Sequence, residues 1–108
     1  MRAILLTITG AGLMLTAMLA VAVAMTPREC DELSQWVYFQ AENRDAGAKL
    51  LEHKAAVAEV NAGLGVDMVA MLMRELEKVY ADGKAPLVAA MDARFECYAR
   101  RGEIGTGV

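Results

Sequence analysis

Hydrophobic residues along the chain form one continuous apolar run, followed by four segments with the spacing of a helix. Apolar and small residues fill positions 3–25 without a charged side chain. The segments 27–44, 48–60, 67–80 and 86–100 then carry apolar residues three and four positions apart, the period of a helix with one buried face. No segment after residue 25 alternates with period two over enough residues to indicate a strand. The pattern predicts an all-α protein, a small four-helix bundle.

Capping and turn residues mark the ends of these predicted helices. Thr26-Pro27-Arg28-Glu29 has the order of a capping box with proline at the first helical position, so we expect a helix to begin there. Arg44 near the end of that helix complements its dipole, and Asp45 can cap the next helix. The other boundaries are set by Gly47, Asn61-Ala62-Gly63-Leu64-Gly65, Asp67 as a cap, Ala81-Asp82-Gly83-Lys84 and Pro86.

The spacing also predicts which face of each helix is buried. On the fourth helix we expect the large side chains to point inward, with Cys97 beside Ala90 and Ala93 on a narrow flank. Because small side chains let two backbones approach closely, the first helix should lie along this flank. The predicted core residues are Cys30, Leu33, Val37 and Ala41 on the first helix, Leu50, Leu51, Val57 and Val60 on the second, Met68, Leu72, Leu76 and Val79 on the third, and Leu87, Met91, Phe95 and Tyr98 on the fourth.

The apolar run at the start of the chain has the composition of a leader for export. Arg2 is its only charged residue, and Ala22-Val23-Ala24 has the small-x-small pattern that a signal peptidase recognises. We therefore expect residues 1–24 to be a signal peptide that is cleaved after Ala24. The alternative is an uncleaved signal anchor, since roughly 20 apolar residues can span a bilayer. Both interpretations predict a periplasmic or secreted protein, with a helical domain over 25–101 and a flexible tail over 102–108.

Charge and cysteine content narrow the classes of protein further. The net charge is −3, and only Arg100 and Arg101 form a basic pair, so we expect no nucleic-acid partner. A domain of this size has a marginal core, for which a covalent crosslink is useful. Cys30 and Cys97 are the only cysteines, and an even number in a short exported chain predicts a disulfide. Two free thiols or an intermolecular bond are the alternatives.

The sequence shows no recognisable catalytic centre. His53 is the only histidine and Ser34 the only serine, and no motif predicts a nucleophile beside that histidine. We expect His53 at the surface or half-buried, and we expect no catalytic residues, no enzymatic activity and no cofactor. Met68 and Met71, about 60° apart on a helix, could bind copper(I) with His53, but filling the core is the favoured role.

The stretch Trp36-Val37-Tyr38-Phe39 cannot place all its large side chains on one helix face. Val37 belongs to the predicted core, whereas Phe39 points about 160° away from the core direction. Phe39 therefore needs a second neighbour, which is either another helix of this chain or a partner surface, a self-association surface or a lipid surface. The predicted partner-binding residues are Trp36, Phe39, Arg44 and Asp45. For the latter two, a structural role at the end of the helix is favoured over a ligand site.

Four short motifs carry a resemblance to a known group of proteins. They are Cys30, Arg44-Asp45-Ala46-Gly47, Val79-Tyr80 and Cys97, in this order behind a signal peptide. In them the chain resembles uncharacterised small exported helical two-cysteine proteins of Gram-negative bacteria. The resemblance implies a disulfide-stapled helical domain, and it implies no particular activity.

Together these observations favour an exported, non-enzymatic interaction module of the cell envelope. Its partner is expected to be an unknown protein or a second copy of the chain, and a membrane only if the leader is retained as an anchor. One alternative is an acid-stress periplasmic holdase chaperone, by analogy with small two-cysteine helical acid chaperones. A second alternative is a copper(I)-binding protein.

Overall fold

The computed structural model describes residues 22–100 and 103–105, and its main elements are four helices. A single 3₁₀ turn, Ala62–Leu64, separates the second helix from the third, and the two ends of the described chain pair as short strands. The predicted all-α four-helix fold is confirmed. Along the chain the elements are β1 Ala22–Ala24, α1 Pro27–Asp45, α2 Leu50–Val60, α3 Val66–Asp82, α4 Pro86–Ala99 and β2 Glu103–Gly105.

Helix α1 begins with the predicted capping box. The Glu29 N–H donates to the Thr26 hydroxyl at 3.1 Å, and the Thr26 N–H donates to the Glu29 carboxylate at 2.9 Å. These two bonds satisfy backbone donors that the first helical turn leaves free. The helix ends at Asp45, and the chain turns at Gly47, whose φ of 105° is in the region that favours glycine.

Helices α1 and α4 run antiparallel and are joined by the predicted disulfide. Cys30 and Cys97 form this bond, with a Cα–Cα distance of 5.7 Å that is ordinary for a disulfide. Alongside it, the Ser34 hydroxyl donates to the Ala90 carbonyl at 2.9 Å, and Ala93 is buried at the same contact. The prediction that α1 lies along the small-residue flank of α4 is therefore confirmed.

Helix α3 supplies the largest buried side chains and packs against α1 and α2. Met71 is fully buried, whereas Met68, which the spacing predicts in the core, is only partly buried at its edge. Asp67 lies in the first turn of α3 without capping it, because the helix begins one residue earlier, at Val66. The buried apolar residues are Cys30, Leu33, Val37, Ala41, Val57, Met71, Leu72, Leu76, Val79, Ala90, Ala93 and Cys97.

The predicted core face of α4 is wrong. Leu87, Met91, Phe95 and Tyr98 are all exposed, and the buried side chains of this helix are alanines and a cysteine. The disulfide and the close contact with α1 fix the rotation of α4 about its axis. Because the large residues lie about 120° around the helix from the alanines on average, they cannot face the core as well.

The predicted core face of α2 is only partly correct. Val57 is buried and Leu50 packs at the edge of the core, but Leu51 and Val60 are each 81% exposed. Helix α2 packs mainly against α3, so it buries a narrow strip. His53 occupies the centre of this strip and is itself buried.

The two short strands form a ribbon that the sequence pattern does not predict. In an antiparallel register, Val23 faces Ile104, and the pairs on either side are Ala22 with Gly105 and Ala24 with Glu103. Residues 103–105 thus form a strand inside the segment predicted to be a flexible tail. Three residues are too few to show a period-two pattern, and their partner lies at the other end of the chain. Within residues 22–100, no helix combines the length and the apolar content needed to cross a membrane.

Candidate functional site

The main exposed apolar surface on α4 is a row of four side chains, which we call the α4 stripe. The stripe begins near the start of the helix and reaches its last two turns. Leu87 and Phe95 are 63% and 61% exposed, and the two residues between them in the row are about half exposed. Its members are Leu87, Val88, Met91 and Phe95.

Ion pairs border the α4 stripe on both sides. On the side of α1, Arg94 contacts the Asp31 carboxylate at 3.0 Å and lies over the ring of Tyr98. On the other side, Lys84 pairs with Asp92. The stripe itself contains no charged or hydrogen-bonding side chain. A surface of this kind, apolar in the middle and polar at the rim, is typical of a contact between proteins.

The predicted aromatic site on α1 is divided between the core and the solvent. Trp36 is half-buried and packs against the core, whereas Phe39 is 57% exposed. The Phe39 ring meets the ring of Tyr38 edge to face, with centroids 5.8 Å apart. Phe39 therefore has an exposed surface for a neighbour, and its role in partner binding stays a prediction.

The Arg44 side chain connects the end of α1 to the end of α3 and to the turn after it. Its guanidinium donates to the Val79 carbonyl at 2.7 Å and to the Lys84 carbonyl at 2.6 Å, at the end of α3 and in the turn that follows. Asp45 accepts from the same guanidinium at 2.8 Å and 3.0 Å. Asp45 does not cap α2, because that helix begins after Lys49 and has no side-chain cap. These contacts favour the structural role of the Arg44 side chain, which is 13% exposed.

His53 lies in a buried polar cluster that joins α1, α2 and α3. The Tyr80 hydroxyl donates to the Ala48 carbonyl at 2.7 Å, so its oxygen accepts a hydrogen bond from the Nδ1–H of His53 at 2.8 Å. Nε2 of His53 lies against the Gln40 amide oxygen. Donation from both nitrogens requires the charged ring, but burial lowers the pKa of His53. The neutral ring fits once the Gln40 amide turns and donates its N–H₂ to Nε2.

We expect the lowered pKa of His53 to make the protein less stable in mild acid. The histidine of the unfolded chain takes up a proton near pH 6.5, whereas the folded chain takes it up only at lower pH. The unfolded state therefore binds more protons in this interval, and the free energy of unfolding falls as the pH drops from 6.5 through the folded pKa. Urea unfolding of the wild type and of His53→Gln, from pH about 7.5 to about 5, measures this effect.

In His53→Gln, the free energy of unfolding should fall less over this interval than it does in the wild type. The burial of Glu75 raises the pKa of that carboxyl, although Lys78 opposes the shift. Glu75 therefore affects the pH dependence of stability with the opposite sign to His53. A carboxyl with a raised pKa loses its stabilising contribution as the pH rises from 4.5 through the pKa of the folded state. Equal slopes for the wild type and His53→Gln would contradict the assignment to His53.

A cleft of about 290 Å³ opens between α3 and α4, beside the buried carboxyl of Glu75. Lys78 pairs with Glu96 across the cleft and lies 3.6 Å from Glu75. Lys84 and Asp92 form the next pair along it. The first pair thus connects α3 to α4, and the second connects the turn between them to α4.

The side chains proposed for copper(I) have other surroundings in the structure. Met71 is fully buried in the core, Met68 is at its edge, and both nitrogens of His53 contact other side chains. Among residues 22–100, no three His, Cys, Asp or Glu side chains converge so as to hold a metal ion. Filling the core is the role that these contacts favour for Met71.

Neither the family models nor the curated proteins nor the solved structures include a match to this chain. Its own residues are therefore the basis for the function proposed below.

Proposed function

We propose that this chain is an exported, non-enzymatic interaction module of the bacterial cell envelope, and that the α4 stripe is its docking surface. The observation that carries the proposal is the exposure of Leu87, Val88, Met91 and Phe95 on one side of a rigid helix. The disulfide at Cys97 and the buried alanines of α4 hold that helix in the orientation that keeps these side chains in solvent.

The exposed apolar area on α4 has the size of a functional patch. The four side chains and the exposed edge of Tyr98 leave about 500 Å² of apolar surface, judged from the usual areas of such residues. The largest apolar patch on a monomeric protein usually measures roughly 300–600 Å² and is often functional. The α4 stripe together with Tyr98 falls within this range, which supports a role in binding.

Two features support export. The apolar run at 3–25 and the Ala22-Val23-Ala24 motif are typical of a leader that directs a chain out of the cytoplasm. The Cys30–Cys97 disulfide belongs to the class of crosslinks that persist in oxidising compartments such as the periplasm. The holdase and copper(I) alternatives stay predictions, because no contact in the described residues favours either of them.

Capture experiments with matched variants test the docking surface. The full gene is expressed with its leader, and the exported protein is used as bait in an extract of the same envelope. Phe95→Lys puts a charge in the stripe, and Leu51→Lys puts the same charge at an exposed position on α2. We expect Phe95→Lys to lower the recovery of specific partners at least about tenfold, because a charge is costly to bury in an apolar contact. Quantitative mass spectrometry measures the recovery.

Leu51→Lys should recover the same proteins as the wild type. A third variant, Phe39→Ala, shows whether the exposed ring on α1 takes part as well. Equal recovery by the wild type and Phe95→Lys would show that the α4 stripe is not the docking surface.

A further inference from the structure

We infer that the partner on the α4 stripe is a second copy of this chain, bound antiparallel across a two-fold axis beside Met91. This inference deepens the proposed function and rests on it. Leu87, Met91 and Phe95 are spaced by four residues and form one straight ridge about 12 Å long. Identical ridges of this spacing pack into each other when two helices cross at about −50°.

The ridge is complementary to itself in the antiparallel orientation. A two-fold axis beside Met91 places Leu87 of one copy next to Phe95 of the other, and the same contact occurs again on the other side of the axis. A parallel orientation would instead place the Phe95 rings against each other and leave the smaller Leu87 side chains to face one another. The antiparallel pair thus matches a larger side chain with a smaller one at both ends.

The charges around the ridge also fit a second copy. Arg94 is paired with Asp31 and Lys84 with Asp92 in the same chain. The charged side chains beside the ridge are therefore already neutralised, and a partner does not have to supply opposite charges. The net charge of −3 repels a second copy only slightly, since physiological salt screens exposed charges beyond about 8 Å.

The area predicts a reversible dimer. If each copy covers about 500 Å², the pair buries about 1,000 Å², which is near the lower limit for a specific contact between proteins. We therefore expect a dissociation constant on the order of 10–100 μM, and a mixture of monomer and dimer at the concentrations used in sedimentation.

Charge-swapped variants test both the dimer and its orientation. Leu87→Asp and Phe95→Lys each place charges against an apolar side chain in the homodimer, so each alone should weaken self-association at least about tenfold. When the two variants are mixed, the antiparallel orientation brings Asp at 87 opposite Lys at 95 and leaves the other Leu87–Phe95 contact intact. The mixture should therefore recover the dimer. Analytical ultracentrifugation of the exported protein with its disulfide intact measures all of these samples.

Circular dichroism shows whether a loss of dimer comes from the new charges or from unfolding. Both positions are exposed, and the new charges suit the dipole at their ends of α4, so both variants should give the helical spectrum of the wild type. Self-association that is unchanged in both variants would overturn the inference, because it would come from another part of the chain. Variants that stay monomeric when mixed would also overturn the antiparallel arrangement.

Sedimentation tests the dimer and capture tests the proposed function, so the two can fail separately. A wild type that stays monomeric up to about 500 μM overturns the dimer. If Phe95→Lys still loses the capture of envelope proteins, the α4 stripe remains a docking surface for a different protein. Stripe-dependent binding of the monomer to vesicles of bacterial phospholipid would likewise overturn the dimer.

Discussion

Replacing Cys30 and Cys97 together by alanine is expected to lower the free energy of unfolding by about 4 kcal/mol. The bond joins residues that are 67 positions apart, and in the chain-entropy model a closed loop of this length is worth about that amount. A domain of this size has a total stability on the order of 5–10 kcal/mol, so the variant should keep only about 1–6 kcal/mol and unfold at a markedly lower denaturant concentration. Chemical denaturation followed by circular dichroism measures the difference.

Single variants provide the control for this experiment. Cys30→Ala and Cys97→Ala each remove the whole crosslink, so each should lose most of the stability that the double variant loses. Since both side chains are fully buried, the small difference in stability between a single and the double variant reflects how the remaining cysteine packs in the core. A double variant within about 1 kcal/mol of the wild type would show that the disulfide constrains the unfolded chain much less than the model requires.

Truncating Leu76 to alanine should cost about 3 kcal/mol, the second-largest effect we expect. Leu76 is fully buried at the centre of α3, and removal of a buried leucine side chain loses apolar contact and leaves a cavity. Leu51→Ala is the matched control, because the same atoms are removed at a position that is 81% exposed. Its effect should be below about 0.5 kcal/mol.

Thermal and urea unfolding of this pair of variants also tests the orientation of α2. The spacing of apolar residues places Leu51 in the core, whereas the structure places it in solvent. A loss of about 2 kcal/mol or more in Leu51→Ala would contradict the orientation of α2 in the structure. If only Leu76→Ala loses about 2 kcal/mol or more of unfolding free energy, the result supports this orientation of α2.

The sequence predicts features that depend on neighbours along the chain better than features that depend on the fold. The start of α1 follows from a capping box of four consecutive residues, and the structure shows both of its hydrogen bonds. The turn at Gly47 is equally local. The disulfide could be predicted because the chain has only two cysteines and because Ala90 and Ala93 mark the flank on which Cys97 lies.

The rotation of α4 shows why the candidate site could not be predicted. Burial of large side chains would turn Phe95 inward, whereas close contact through alanines and a disulfide turns it outward. The two preferences are incompatible on one helix, and the spacing of residues does not say which is stronger. The sequence does contain the signal that decides it, since a covalent bond at Cys97 fixes the orientation of the whole helix.

The buried position of His53 depends on contacts that no local pattern contains. Its partners Gln40 and Tyr80 come from two other helices, and the spacing of α2 marks His53 only as a polar residue between Glu52 and Lys54. Position 53 does fall on the stripe formed by Leu50 and Val57, at helical intervals of three and four. That periodicity could have indicated a buried histidine.

If the leader is cleaved where the sequence predicts, the β1–β2 ribbon can exist only before that cleavage. Its first strand is the motif Ala22-Val23-Ala24 itself, so a cut after Ala24 would take away the partner of Glu103–Gly105. The shortened chain would then have a loose end that proteases can trim, whereas a chain that keeps its leader holds both ends together. Protein recovered without residues 1–24 would therefore lack the ribbon, whereas protein that keeps its leader would retain it.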